Sequence, residues 1–241
     1  VPEDLIKNAF SYVLEEYRQI KALCMSKASC FETITFLNFI LSQYKDPKYY
    51  SHVFSESERK EMLDFSFAHW KKHSPQLKSM LALTLKRAKR DQEAILVLES
   101  ILDSAKSDLD LGVYFAPEDR SWLWYNDTVE TQAIFLRALS EVIPNHNYRS
   151  GLTQWLMLNK KMNHWKSTKA TAEAIYSVLH YLTSEKMMEQ DESIVVELGS
   201  LKKEIEFKND EVEKTKAQLV FREKEIVPQN FKEVKVSSKG N

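Results

Sequence analysis

Glycine and proline are scarce in this chain, with 4 glycines and 6 prolines in 241 residues. That composition disfavours a loop-rich all-β fold or a glycine-cradled phosphate site, and it favours packed helices. Walker and Rossmann glycine patterns are absent from the sequence, and so is a G-x-S-x-G nucleophile motif. The sequence therefore gives no sign of a nucleotide-binding enzyme or a serine hydrolase.

An excess of charge of either sign is also missing, because 34 basic residues face 35 acidic ones. Bulk electrostatics therefore give no indication of a nucleic-acid partner or an acidic substrate. No apolar run reaches the length of about 18 residues that would predict a membrane span. The first residues, VPEDLIKNAF, lack the basic and apolar regions of a signal peptide. We expect either a cytoplasmic protein or a piece of a longer polypeptide.

Two cysteines, Cys24 and Cys30, are too few for a disulfide framework, and the sequence leaves open whether they pair. Cys30 begins the tetrapeptide CFET, which invites comparison with the Cys-x-Glu-Gln sequence that forms internal thioesters. That chemistry needs a glutamine carbonyl, and Thr33 has none. We therefore interpret Cys30 as a buried cysteine at a helix start.

From Pro2 to about Lys186 the apolar residues recur at helical spacing. In the first such helix, Leu5, Ala9, Tyr12, Val13 and Tyr17 follow one another at helical spacing. A stretch of mixed turn and aromatic residues, LDLGVYFAPEDRSWLWY, interrupts the helices and predicts a long structured loop or a short hairpin.

Two similar units follow, each with tryptophan, then a capping residue, then a helix. In the first, Trp124 precedes the N-cap Asp127, and Glu130 is predicted to complete a capping box. In the second, Trp165 precedes the N-cap Ser167. The stripes predicted to face the core match at an offset of 40 residues: Thr131, Ile134, Phe135, Ala138, Leu139 and Val142 against Thr171, Ala174, Ile175, Val178, Leu179 and Leu182, with Thr128 also matching Thr168. A helical hairpin repeated in this way buries its apolar face by stacking on its neighbours.

The hydrophobic pattern changes after about Met187. Short segments in which apolar and polar residues alternate, or apolar residues run together, predict four or five β-strands there. We therefore predict a helical domain over residues 1–187 and a β segment over 188–241. About 50 residues lie near the lower limit for independent folding. The exposed edges of this predicted β segment indicate that its partner strands lie elsewhere in a longer chain.

Three other features have weak chemical interpretations. His69 and His73 share a helix face in HWKKH, but Trp70 stands where a zinc-protease motif needs glutamate, so we expect a solvated helix end. Asp108 and Asp110 in DLDLG lack aspartate-rich surroundings and predict a loop turn rather than a magnesium site. The tryptophans predict packing at hairpin junctions rather than a ligand-stacking cup. We predict no catalytic, cofactor-binding or metal-binding residue, and we assign Trp124, Asp127, Glu130, Thr131, Trp165, Ser167, Thr168 and Thr171 to a structural motif.

WYNDTVETQAIFLRALSEV, followed by WKSTKATAEAIYSVL, resembles the thioester-domain region of bacterial alpha-2-macroglobulin-like proteins. The resemblance is strongest over residues 112–185, and the following β segment is similar to the one that leaves the helical domain in that family. It implies an α/α toroid, or part of one, in a large envelope protein that is usually periplasmic, often lipid-anchored, and traps or inhibits proteases. The family's thioester motif is absent from this chain, so either it lies elsewhere in a longer polypeptide or the protein belongs to the branch that lacks it. In the second case the resemblance implies physical trapping or an architectural role.

Two rival interpretations remain open on the sequence alone. One is an intracellular helical-repeat scaffold that binds a partner protein on a concave face. The other is a toroid-type enzyme acting on a lipid or a sugar, which needs acidic or metal-binding residues that converge on the axis. The predicted β segment favours the macroglobulin-like interpretation over the scaffold, and no residues that would converge on an axis to support the enzyme are evident in the sequence.

Overall fold

The computed structural model describes residues 3–44, 46–115, 127–187, 192–199, 201–207, 220 and 234–239. In these ranges the chain is mainly helical, with a short antiparallel sheet near its C-terminus, which confirms the predicted fold class. Closure of the helices into a toroid stays a prediction. Backbone contacts divide the chain into two compact units, Val1–Tyr181 and Leu182–Asn241.

The helices of the described residues are α1 (Glu3–Ser26), α2 (Phe31–Gln43), α3 (Glu56–Ala68), α4 (Pro75–Arg87), α5 (Asp91–Leu102), α6 (Thr128–Val142), α7 (Tyr148–Leu158) and α8 (Thr168–Ser184). Short connections make neighbouring helices antiparallel, as in the hairpins α4–α5 and α6–α7. Polar side chains help to fix where helices start. Ser55 and Glu58 form a reciprocal capping box at α3, and Ser74 caps α4 just before Pro75.

The scarcity of glycine shows at the helix ends. α1, α4 and α8 each finish in a Schellman motif, whose left-handed position is usually glycine. Here Ala28, Lys89 and Lys186 occupy it, with φ angles of 47°, 61° and 56°. At α4, for example, Arg90 N donates to Leu85 O over 2.9 Å and Lys89 N donates to Lys86 O over 3.0 Å. These ends therefore adopt a conformation that is costly for a residue with a Cβ atom.

Even-numbered helices run parallel in one row. Thr35 near the start of α2 bonds His73, just before α4, and Ser42 near the end of α2 bonds Arg87 at the end of α4. α4 and α6 are matched in the same way, start to start and end to end, through hydrogen bonds of Gln76 and Arg87. We call α2, α4, α6 and α8 the parallel row. Alternation of parallel and antiparallel helices is what stacked helical hairpins produce.

The centre of this row is α6, which is buried along almost its whole length, including the six residues of its predicted stripe. A second apolar cluster lies under α1 and contains Phe10, Leu14, Ile34, Leu37 and Phe54. Burial of such aliphatic and aromatic surface is the main stabilising term for both parts of the core.

The spacing correctly predicted α1 as a helix, but several of the residues that showed the spacing are not the ones that α1 buries. α1 buries Phe10, Leu14, Lys21 and Cys24, whereas Leu5, Tyr12 and Val13 are exposed. α1 has apolar residues on two adjoining faces, so the pattern alone did not distinguish the face that packs.

The stripe predicted for α8 was misplaced. α8 buries Ala170, Ala174, Ser177 and Tyr181. Ile175 and Leu179 are 45% and 43% exposed, although both were predicted to face the core. The side of α8 that faces α6 carries charged residues. The side that carries Ile175 and Leu179 therefore faces away from α6.

The predicted loop or hairpin begins as a hairpin of β1 (Lys106–Asp108) and β2 (Gly112–Tyr114). Gly112 has a φ of +81° and lies against Gly151 of α7. A Cβ atom added at Gly151 would come 2.6 Å from Val113 Cγ2. Two of the four glycines thus allow the hairpin and α7 to approach closely. The rest of the predicted loop, from residue 116 to 126, lies outside the described residues.

The second unit contains an antiparallel sheet in the order β4-β3-β5, formed by β3 (Glu192–Leu198), β4 (Leu201–Phe207) and β5 (Val234–Lys239). The register places Val196 between Lys203 and Val236, and Leu198 between Leu201 and Val234. One face is therefore predominantly apolar. Apart from Val220, the strand segments predicted between 208 and 233 fall outside the described residues.

Candidate functional site

The start of α6 is built around Asp127. The Asp127 carboxylate accepts hydrogen bonds from the backbone N–H groups of Val129 at 2.9 Å and Glu130 at 3.1 Å. Lys166 Nζ, from the segment before α8, lies 3.3 Å from the same carboxylate. Asp127 thus satisfies two of the free N–H groups of α6. Through Lys166 it also links α6 to the segment that leads into α8.

The start of α8 is built around Trp165 and Ser167. The Ser167 hydroxyl accepts a hydrogen bond from the Ala170 N–H over 3.0 Å, so Ser167 caps α8. Thr171 Oγ1 donates to Ser167 O and accepts from the Trp165 N–H. The Trp165 indole is 4% exposed and donates from Nε1 to the Leu156 carbonyl at 2.7 Å. Trp165 therefore packs into the α7–α8 junction with its polar atom satisfied.

The other residues assigned to the motif have varied positions. Thr128 and Thr168 are the first residues of α6 and α8, which keeps the 40-residue offset of the sequence. Thr131 is fully buried in α6. Trp124 lies outside the described residues.

Glu130 was predicted to complete a capping box with Asp127, and this was wrong. Glu130 Oε2 instead accepts from Gln76 Nε2 at 3.2 Å and lies 2.5 Å from Lys169 Nζ. The carboxylate therefore joins the starts of α4, α6 and α8. A buried carboxylate is stabilised more by a cation than by one more backbone N–H group, which accounts for the different geometry.

The contacts of Glu130 belong to what we call the polar seam, a line of charged and amide side chains between α4, α6 and α8. The seam has three sets of contacts along the helices, which we call rungs, and Glu130 forms the first. Its members are Gln76, Arg87, Glu130, Arg137, Glu141, Lys169, Glu173 and His180. On α6 they recur at intervals of seven and four residues, and on α8 at four and seven. This polar periodicity was visible in the sequence, but only the contacts reveal the partners.

Arg137 forms the middle rung. Its Nη2 atom lies 3.2 Å from Glu173 Oε1, and its guanidinium lies over the rings of Phe39 and Tyr176. Burial lowers the pKa of Arg137 and raises the pKa of Glu173, although Arg137 opposes the second shift by attraction. The opposite charges and the two aromatic rings make this partly buried ion pair a specific contact between α6 and α8.

The last rung lies at the ends of the same helices. Arg87 Nη2 donates to both oxygens of Glu141, at 3.0 and 3.3 Å, and Arg87 Nη1 donates to Ser42 Oγ. His180 Nε2 lies 3.9 Å from Glu141 Oε1. Each carboxylate of the seam therefore has a basic neighbour. Such an arrangement fixes the spacing and register of the parallel row.

The two cysteines form a disulfide between the end of α1 and the start of α2. This settles the pairing that the sequence left open. Cys30 lies at a helix start as predicted, but it is only partly buried. With its sulfur engaged and Thr33 in the fourth position, CFET has neither the nucleophile nor the acyl group of a thioester.

His73 is not part of a solvated helix end, which corrects the prediction. It is 5% exposed, its Nε2 atom lies 2.8 Å from Thr35 Oγ1, and burial lowers its pKa to about 4. His69 stacks on Phe31 instead of joining a metal site. Asp108 forms a turn, accepting from the N–H groups of Asp110 and Leu111. Among the described residues, no group of three or more His, Cys, Asp or Glu side chains is placed to hold a metal ion.

Comparison with known proteins adds no relative, because no protein-family model and no curated protein matches the chain. Within the described ranges, every helix is too short or too polar to cross a membrane.

Proposed function

We propose that the chain is a non-catalytic segment of a macroglobulin-like cell-envelope protein of the protease-inhibiting or protease-trapping family. The observation that carries the proposal is the pairing of the two capped helices whose sequences resemble the family. The units that resemble the family begin α6 and α8, which are neighbours in one parallel row joined by the polar seam. Parallel helices from successive hairpins are also expected in the toroid, or part of one, that the resemblance implies, and this agreement supports the proposal.

The disulfide supports the envelope location. Disulfides persist in secreted and periplasmic proteins and are rare in a reducing cytosol. The Cys24–Cys30 bond is therefore typical of an oxidising compartment and argues against the rival interpretation of an intracellular scaffold.

Recognition by this segment is non-covalent. Cys30 is bonded to Cys24, and the charged groups of the polar seam are paired with one another across helices. The seam holds the helical surfaces in place, and those surfaces contact the protein partner. A helical array presents such a surface with little reorganisation, because each hairpin is held by its neighbours.

A binding experiment tests the proposal. The chain is immobilised and exposed to serine, cysteine and metalloproteases whose active sites are blocked, with an unrelated helical protein of similar size as the control surface. We expect saturable binding to at least one protease class, reversed by denaturant and unaffected by methylamine, which destroys thioesters. If no protease binds above the control surface, the proposal fails and the general helical scaffold becomes the better interpretation.

A further inference from the structure

The junction between α1 and α2 combines a disulfide with an unusual backbone. Cys24 lies in the last turn of α1 and is 1% exposed, whereas Cys30 precedes α2 and is only partly buried. The bond closes a short loop, since the two cysteines are six residues apart. One of its two sulfur atoms therefore belongs to a residue that solvent reaches.

Two residues of this loop have left-handed backbone conformations. Ala28 has φ 47° in the Schellman motif of α1, where Ser29 N donates to Cys24 O over 2.9 Å. Cys30 has φ 47° and ψ 32° at the N-cap of α2 and makes no side-chain capping bond. Left-handed positions are unfavourable for residues with a Cβ atom, and they persist where the surroundings enforce them. The disulfide links the residues on either side of Ala28 and so closes the loop covalently, in addition to the backbone hydrogen bonds that α4 and α8 also have at their ends.

α1 covers the apolar cluster of the first unit through Phe10 and Leu14, while its other side is exposed. Besides the disulfide, its attachments include the ion pair of Lys21 with Glu58 and the contact of the Phe10 and Tyr44 rings. α1, the first helix of the described residues, thus covers part of the core and is bonded covalently at its C-terminal end.

We propose that Cys24–Cys30 is a redox latch. While the disulfide is intact, it holds α1 against α2. Reduction by a dithiol releases the left-handed loop, and α1 separates from the cluster that includes Ile34, Leu37 and Phe54. This inference is independent of the proposed function, because it rests on the geometry of the junction alone.

The exchange chemistry follows from the accessibility of the sulfurs. A thiolate of the dithiol attacks Cys30 Sγ, and Cys24 leaves as a thiolate that takes a proton from water. The second thiol of the reductant then attacks the mixed disulfide and releases Cys30, so two electrons pass to the protein and the reductant becomes a disulfide. The Ser29 hydroxyl lies 3.6 Å from Cys30 Sγ and the N-terminus of α2 adjoins it, and both stabilise the Cys30 thiolate.

Hydrogen exchange measured by mass spectrometry tests the latch on the intact chain. Closing a loop of this length lowers the open population on the order of forty-fold in the chain-entropy description. We therefore expect reduction to speed amide exchange in α1 by roughly ten- to a hundred-fold, with α4 and α6 unchanged. The gain of two hydrogens in the intact mass verifies that reduction has occurred.

Two variants make the test specific. Cys24→Ala/Cys30→Ser is expected to show the fast α1 exchange without reductant and to be insensitive to it. Ala28→Gly accepts the left-handed position, so reduced Ala28→Gly is expected to exchange more slowly in α1 than the reduced parent protein. The latch is refuted if α1 exchanges equally in both redox states. It is also refuted if the folded chain resists reduction by dithiothreitol, or if protection is lost uniformly over all helices.

Discussion

The Trp165 indole N–H lies 2.7 Å from the Leu156 carbonyl oxygen, and this bond closes the junction between α7 and α8. Because the ring is buried, we expect Trp165→Ala to lower the free energy of unfolding by about 3–5 kcal/mol. Trp165→Phe retains most of the apolar contact but leaves the carbonyl without its donor, which costs about 1–3 kcal/mol. Denaturant titration measures both. A loss below about 1 kcal/mol for the alanine variant would contradict the structural role of Trp165.

The Arg137–Glu173 pair gives a second prediction. Arg137→Met keeps much of the packing against Phe39 and Tyr176 but leaves the Glu173 carboxylate without its cation. Because Glu173 is only partly buried, removing its partner is expected to destabilise the fold by about 1–3 kcal/mol.

The double variant Arg137→Met/Glu173→Gln is the matched comparison, because it also removes the negative charge of Glu173 that the single variant leaves without its partner. It is expected to recover part of the loss, and the double-mutant cycle gives the coupling. Additive effects in denaturant titrations would show that the two side chains do not stabilise each other, and the polar seam would then lose its middle rung.

His73 makes stability depend on pH. In the folded chain burial lowers its pKa from 6.5 to about 4, with smaller contributions from His69 and Lys78. Between these two values the unfolded state binds more protons than the folded state, so stability is greatest above pH 6.5 and falls as the pH drops toward 4. The maximum slope for this one group is about 1.4 kcal/mol per pH unit.

His73→Gln is the variant that isolates this effect, because glutamine does not titrate and retains an amide to bond Thr35. Denaturant titrations at several pH values are expected to show a shallower decline for the variant than for the parent protein. Parallel curves would mean that His73 does not account for the acid sensitivity.

Whether a feature could be predicted from the sequence depends on how far apart along the chain its contacting residues lie. The caps of Asp127 and Ser167 involve residues no more than three positions away, so local pattern was enough to place them. The contacts of Glu130 reach Gln76 and Lys169, which are 54 and 39 positions distant. A capping rule considers only the neighbouring backbone and so assigned that carboxylate to the wrong partner.

The helical stripes show the same limit. α6 is buried on almost every side, so its predicted apolar face is buried together with the rest. α8 meets α6 through Lys169, Glu173 and His180, so the apolar face of Ile175 and Leu179 faces elsewhere and is substantially exposed. Hydrophobic periodicity detects a helix reliably, but it gives the packed face only where the contact itself is apolar. The disulfide belongs to the same group, because pairing depends on compartment and geometry rather than on spacing.

The left-handed end of α4 leads to a final prediction. Lys89 has φ 61° in a Schellman motif whose two backbone hydrogen bonds are intact, so its Cβ atom is an unrelieved steric cost. We expect Lys89→Gly to raise the free energy of unfolding by about 0.5–1 kcal/mol, because glycine adopts this conformation without the clash. Lys89→Ala is the control, since it removes the same charge and keeps the Cβ atom, and it is expected to leave stability nearly unchanged. Equal stabilisation by both variants in denaturant titration would assign the gain to charge and contradict the steric explanation.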